Sequence, residues 1–418
     1  MTHKQYIDSK FVSRLIIFCC FLIMVSACSL SEMKKQTEQA ENTARFTGQV
    51  NVQSGQKGKI IVVLIKHASD KLFTVENHIE ADDNGTFTVY AIPGDYFLGA
   101  FVDKDNNGIY TKGEHARIYG DLKPIKIYKN QVIKANINIT GELKWKIPTD
   151  ARVLQKKSLS VKNIGRVVSL DHPMFALETG PLGLWKPIDY LEQYGAGLFL
   201  LQKYEKNKIP IIFVHGANAA SGVWTDIIAR LDRKKFQPWV FNYPSGVRLD
   251  LASEYMKRAV SDLQKKYGMK QIYVVAHSMG GLVTRSFIKK YHKAHQADAK
   301  KIKFVMTINS PMMGMASAAS GVRYSPILVP SWRDVATGSA FIKEIHAWGW
   351  PKGLPYHLVF SYEHGEGDDG VVDLESQIPL KLQSEATRIY GFNNTHAGIL
   401  RDKEFIARFQ RILRKSLH

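Results

Sequence analysis

From Ile209 onward, runs of continuous apolar residues alternate with stretches whose apolar side chains recur at helical spacing. "IPIIFVHG" precedes a helical run from Ser221 to about Lys235, and "PWVFNYP" precedes another from Asp250 to Lys266. "QIYVVAHS" leads into a helix from Gly280 to about His292, and "IKFVMTINSP", "YHLVFSY", "TRIYGF" and a last amphipathic helix follow. A strand that is apolar at every position must be covered on both faces, and helices between such strands supply the cover. The pattern predicts a mostly parallel sheet in an α/β domain over residues 208–418. Ala252, Tyr255, Met256, Ala259, Val260 and Leu263 share one face of the second helix; Phe405, Ile406, Phe409, Ile412 and Leu413 share one face of the last.

The first half reads differently. From Phe46 to about Gly141 the period is two, with turn residues at short intervals, as in "KIIVVLI", "TFTVYAI" and "PGDYFLGAFVD". This predicts a small all-β sandwich over 46–141. Its phrase "NGTFTVYAIPGDYFLGAFVDKDNNG" resembles the prealbumin-like and carboxypeptidase-regulatory β-sandwich modules of bacterial surface proteins. Within it, Asp103, Asp105, Asn107 and Glu114 have the spacing of a calcium loop, with Gly108 at the tight turn. Strand-like flanks rule out an EF-hand, and the alternative is a long turn in which Asp and Asn bond their own backbone. Residues 142–207 read as a connecting segment that supplies a lead-in strand.

The N-terminus carries Lys4, Lys10 and Arg14 ahead of the apolar run Leu15–Val25, which is too short to span a bilayer. "VSAC" follows, and small residues before Cys28 resemble a bacterial lipobox. The resemblance implies a signal peptide over 1–27, lipidation of Cys28 and, with Ser29 next, sorting to an outer membrane of the cell envelope. A plain secretory signal or a single membrane anchor is the alternative. Cys19, Cys20 and Cys28 are the three cysteines of the chain, so a chain cut before Cys28 forms no disulfide. Residues 28–45 are polar and charged, predicting a flexible tether.

The formal charge is +19, and removing the leader leaves about +17. Such a balance suits an anionic partner or a lysine-rich solvated surface. With no concentrated basic block, a nucleic-acid partner is not expected, whereas a membrane contact through Cys28 is.

"VVAHSMGG" places Ser278 between a strand and a helix. A serine presented on a sharp strand-to-helix turn needs small neighbours two residues away, here Ala276 and Gly280. In an α/β sheet, sites form at the carboxyl ends of strands, where Ser278 falls. "AHSMGG" resembles the nucleophile elbow of small bacterial lipases, which also carry alanine at that position. "VHGAN", Val214 to Asn218, resembles their oxyanion loop, which assigns the backbone N–H groups of Ala217 and Met279 to the oxyanion hole, with His215 structural. "DDGVV" resembles the lipase acid motif and points to Asp369, with Asp368, Asp373 and Glu363 as alternatives. "NNTHAGIL" puts His396 before the final helix, in the place of the family's terminal histidine.

Together, "HGAN…AHSMGGL…INSPMMGMASA…DDGVV…THAGIL" resembles the α/β-hydrolase superfamily, nearest to bacterial lipases and the PGAP1-like lipase group. The resemblance implies a hydrolase of carboxylic esters, of lipid or phospholipid type, working through Ser278, Asp369 and His396 with no cofactor. An insertion at about 312–354, holding Trp332, Trp348 and Trp350, reads either as an apolar cap over the serine or as a segment whose tryptophans pack it to the body. An acyltransferase with the same triad, a serine peptidase and a non-catalytic surface lipoprotein remain open at this stage. No His-x-x-x-His spacing near His396 suggests a zinc site.

Overall fold

The computed structural model describes residues 29–417 apart from 54–56, 70–71, 82–83, 121, 144–151, 156–162 and 364–366. The leader and Cys28 lie outside the described residues. Among the described residues, no helix is long and apolar enough to cross a membrane.

The strand-rich first half contains β1 (Ala44–Val52), β2 (Lys59–Ser69), β3 (Leu72–Glu80), β4 (Thr86–Ala91), β5 (Gly94–Asp103), β6 (Ala116–Ile118), β7 (Ile125–Ile127), β8 (Val132–Lys134), β9 (Ile137–Ile139) and β10 (Arg152–Gln155). One sheet runs β4-β1-β8 with β9 also on β1; the other runs β10-β3-β2-β5-β6 with β7 also on β5. Alternating residues from both sheets meet in one core, among them Phe46, Val62, Leu64, Phe87, Val89, Leu98, Ile127 and Ile139. β10 lies beyond the boundary expected at 141 and pairs in parallel with β3.

The C-terminal half is built on a seven-stranded sheet in the order β11-β13-β12-β14-β15-β16-β17. Its strands are β11 (Gly197–Leu200), β12 (Ile209–Val214), β13 (Phe236–Asn242), β14 (Ile272–His277), β15 (Ile302–Ile308), β16 (Tyr356–Tyr362) and β17 (Arg388–Asn393). All neighbours are parallel except β11, the lead-in strand, which is antiparallel to β13. One side of the sheet is covered by the helices Leu249–Tyr267 and Met279–Ala294, the other by the helix Lys403–Lys415. The six residues expected on the inner face of Leu249–Tyr267 are all buried, as are the five of Lys403–Lys415. The helix expected over Ser221–Lys235 is shorter: a 3-10 turn at Ser221–Trp224 and a helix at Thr225–Ala229. Trp224 anchors that segment in the core, with no exposure.

The polar segment expected as a tether is instead helical over residues 29–41 and docked. Gln36 Oε1 accepts hydrogen bonds from the N–H groups of Ile188 (3.1 Å) and Asp189 (3.0 Å). Glu41 pairs with Arg248 at 3.2 Å and with Arg333 at 3.3 Å. Gln36, Thr37 and Ala40 are buried on this face. Thirteen residues make a marginal helix in water, so its order comes from docking. The docking face is polar, which is why apolar periodicity does not reveal it. The sandwich also touches the C-terminal half, where Arg258 donates to Thr88 O at 3.3 Å.

Candidate active site

Ser278 follows β14 directly and precedes the helix Met279–Ala294, at the carboxyl edge of the sheet. Its backbone sits at φ 54° and ψ −133°, a conformation an L-residue adopts only under constraint. The constraint is visible on both sides. Ser278 N–H donates to Ile308 O at 2.8 Å, tying the turn to β15. A Cβ on Gly280 would stand 2.6 Å from the carbonyl oxygens of Val214 and His215, so no larger residue lets the turn seat against β12.

Ser278 Oγ lies 2.8 Å from His396 Nε2. His396 Nδ1 lies 2.7 Å from Asp369 Oδ2. The other carboxylate oxygen, Asp369 Oδ1, accepts from the N–H groups of Val371 (3.0 Å) and Val372 (2.8 Å). Asp369 is fully buried, and its backbone carbonyl accepts the N–H of His396 at 2.8 Å. The fold thus brings together residues 118 and 27 positions apart in sequence. Of the alternative acids, Asp368 accepts from Gly370 N–H, Asp373 is exposed at a helix start, and Glu363 lies near Gly370.

The two residues expected to supply oxyanion donors, Ala217 and Met279, lie in the segments that flank the serine. Met279 opens its helix, so its N–H has no carbonyl of that helix to bond. Gly216 approaches so closely that an added Cβ would stand 2.7 Å from Ser278 Cβ, and Ala217 follows it. Asn218, at φ 52°, donates its N–H to Ser245 Oγ at 3.0 Å and fixes the loop's far end. His215 is a brace: its Nδ1 faces Gly216 O at 2.9 Å and its Nε2 accepts the Tyr243 N–H at 3.3 Å. The Tyr243 ring stacks on it at 4.5 Å, and Tyr243 Oη donates back to His215 O at 3.0 Å.

Of the three tryptophans of the insertion, Trp348 and Trp350 follow the alternative reading and pack against the body. Trp350 stacks at 4.7 Å on Tyr356, the first residue of β16, and lies 5.4 Å from the Arg285 guanidinium. Trp348 packs beside it at 6.3 Å. Both therefore anchor the insertion at the amino ends of the strands, away from Ser278. Trp332 packs against Gly321 and edge-on to Trp185 at 5.5 Å. A count of aromatic residues in an insertion cannot say which end of the sheet they reach. In the sandwich, Asp103, Asp105 and Glu114 bring their carboxylates within 4.8 Å of one another. Those oxygens accept backbone N–H groups of Lys104, Asn107, Gly108 and Thr111, the arrangement of the turn alternative, and the Asn107 amide nitrogen donates to Asp105 Oδ2 at 2.7 Å.

A family model described as an α/β hydrolase of unknown function matches residues 245–376, a span that includes Ser278 and Asp369. With the sheet order above, this decides the architecture. The fold is that of an α/β hydrolase. No curated protein matches the chain. Solved structures similar to it include the mature lipase BlEst2 of Bacillus licheniformis (18% identity, 51% of this chain and 94% of that one, TM-score 0.39). Others are the phospholipase PlaB of Legionella pneumophila (18%, 41% and 44%, 0.35) and lipase B of Aspergillus fumigatus (18%, 48% and 48%, 0.36). The matched family and the fold support a hydrolase.

Two buried histidines of the hydrolase domain make its stability pH-dependent. Burial lowers His215 to about 4. Burial, reinforced by repulsion from His396, lowers His277 to about 3. In the unfolded chain both titrate near 6.5, so below that pH the unfolded state binds more protons and gains stability relative to the fold. Stability is fully present above about pH 6.5 and is lost as pH falls through the folded values, by up to about 1.4 kcal/mol per pH unit for each histidine. Thermal melting at pH 7.5 and 4.5 should show a clearly lower midpoint in acid; equal midpoints would contradict the burial of neutral imidazoles.

Proposed function

We propose that the protein is a serine hydrolase of carboxylic esters, of lipid or phospholipid type, that passes through an acyl-enzyme on Ser278. The supporting observation is the continuous chain of short contacts from Ser278 Oγ through the His396 ring to a buried Asp369. Ser278 Oγ attacks the ester carbonyl as His396 Nε2 takes its proton. Asp369 holds the tautomer that leaves Nε2 free to accept, and stabilises the imidazolium. The N–H groups of Met279 and Ala217 receive the oxyanion, and losing one such donor typically costs about 3 kcal/mol of barrier. His396 returns its proton to the departing alcohol, and water, activated in the same way, releases the acid.

The preference for an apolar acyl group draws support from exposed apolar side chains on the site's own loops. Val371, two residues after Asp369, is 53% exposed; Met313, whose N–H bonds Ser376 O in the acid loop, is 41% exposed. In the same reading Cys28 carries the lipid that holds the enzyme in the cell envelope, at an outer membrane.

The test uses purified protein with a fluorophosphonate probe and a chain-length series of esters. One probe should attach per molecule, on Ser278, and emulsified long-chain or phospholipid esters should be cleaved faster than soluble short ones. No labelling would overturn the hydrolase reading; far faster cleavage of short soluble esters would overturn the lipid part alone.

A further inference from the structure

His396 is held by more than its triad partners. The side chain of His277, the residue just before the nucleophile, places Nε2 2.8 Å from the backbone carbonyl oxygen of His396. The side-chain amide of Asn309, just after β15, donates Nδ2 to the same oxygen at 3.1 Å. We infer that His277 and Asn309 are positioning residues, a pair of donors that clamps the backbone of the base and keeps its ring in line with Ser278. This rests on the reading of Ser278 and His396 as nucleophile and base.

Both donors are buried and neither is explained by packing alone. Asn309 is fully buried, and its Oδ1 has no partner. Burying an amide half-satisfied carries a desolvation penalty that an apolar residue of similar size avoids. It also sits at φ 47°, a backbone setting that asparagine tolerates better than most residues. Its own N–H is tied to Val359 O at 3.0 Å, so the strand end that aims the amide is fixed. A carbonyl oxygen can only accept, so His277 must carry its proton on Nε2. His277 stays neutral because it is buried, which matters here: its ring centroid is 4.9 Å from that of His396, and a second cation there would oppose the imidazolium.

The arrangement references nucleophile and base to the same two strand ends. Ser278 is bonded to Ile308 O, the residue before Asn309, and is covalently next to His277. With the His396 N–H on Asp369 O, both backbone groups and both ring nitrogens of the base have partners. A 1 Å misplacement of a reacting group can cost about 100-fold in rate. Removing one donor should therefore appear in kcat rather than in KM.

The experiment compares His277→Phe, His277→Gln and Asn309→Leu in the full chain. His277→Phe keeps a ring and removes the donor; His277→Gln keeps an N–H of similar reach. His277→Phe and Asn309→Leu should each lower kcat by roughly 10- to 100-fold with KM within about twofold. His277→Gln should recover most of the loss, and the double variant should lose less than the product of the singles because the donors share one acceptor. A second readout needs no substrate: the low-field Nδ1 proton of His396 in the proton NMR spectrum should broaden or move in His277→Phe and persist in His277→Gln. Unchanged kcat and an unmoved resonance in His277→Phe would overturn the inference. So would a loss that glutamine does not restore. A wild type that shows the resonance but takes no fluorophosphonate would instead sink the hydrolase reading.

Discussion

Ser278→Ala should abolish ester turnover, by a factor on the order of 10⁶ in kcat where a triad serine is removed. The melting temperature should stay within a few degrees, because the change deletes one oxygen from a residue that is 9% exposed. His396→Ala should cost about as much, and the double variant little more, since the two act as one unit. The geometry makes that non-additivity a sharp requirement: Oγ and Nε2 are 2.8 Å apart, and neither does its work alone. Turnover retained by either variant, measured on the same ester with the fold checked by circular dichroism, would remove the basis of the proposed mechanism.

Asp369→Asn comes second, with an expected loss of about 10⁴ in kcat. The asparagine Oδ1 can still accept from Val371 and Val372, so the loop keeps its shape. The amide nitrogen then faces His396 Nδ1 and demands a lone pair there, which moves the proton to Nε2 and leaves nothing to accept from Ser278. Asp368→Asn and Asp373→Asn should stay within a few-fold of wild type, because neither reaches the imidazole. A large loss in Asp368→Asn with Asp369→Asn unimpaired would reassign the acid.

The sequence made the α/β half legible because its signals are local and apolar. Buried strands and one-sided helices carry their burial in their own periodicity, and the inner faces of Leu249–Tyr267 and Lys403–Lys415 follow residue by residue. The residues that meet in the site were legible through a resemblance to lipase motifs, carried by a serine between small residues, an aspartate before glycine and a histidine before the last helix. What escaped was polar or long-range. Helix 29–41 buries glutamine and threonine, which no hydrophobic pattern marks. His277 and Asn309 meet His396 across 119 and 87 residues, and nothing near either of them in the chain signals that contact. The tryptophans of the insertion were visible as composition, but the end of the sheet they pack against is a property of the path between β15 and β16.

The seated helix has a mechanical meaning. Were Cys28 lipidated as proposed, a slack tether after it would let Ser278 sample every bearing relative to the membrane. Here the stretch entering at residue 29 is pinned by Gln36 and Glu41 to the same body that carries the serine. In the proposed reading, with Cys28 carrying a lipid, a helix seated in this way would act as a bracket that limits how Ser278 can turn relative to the membrane.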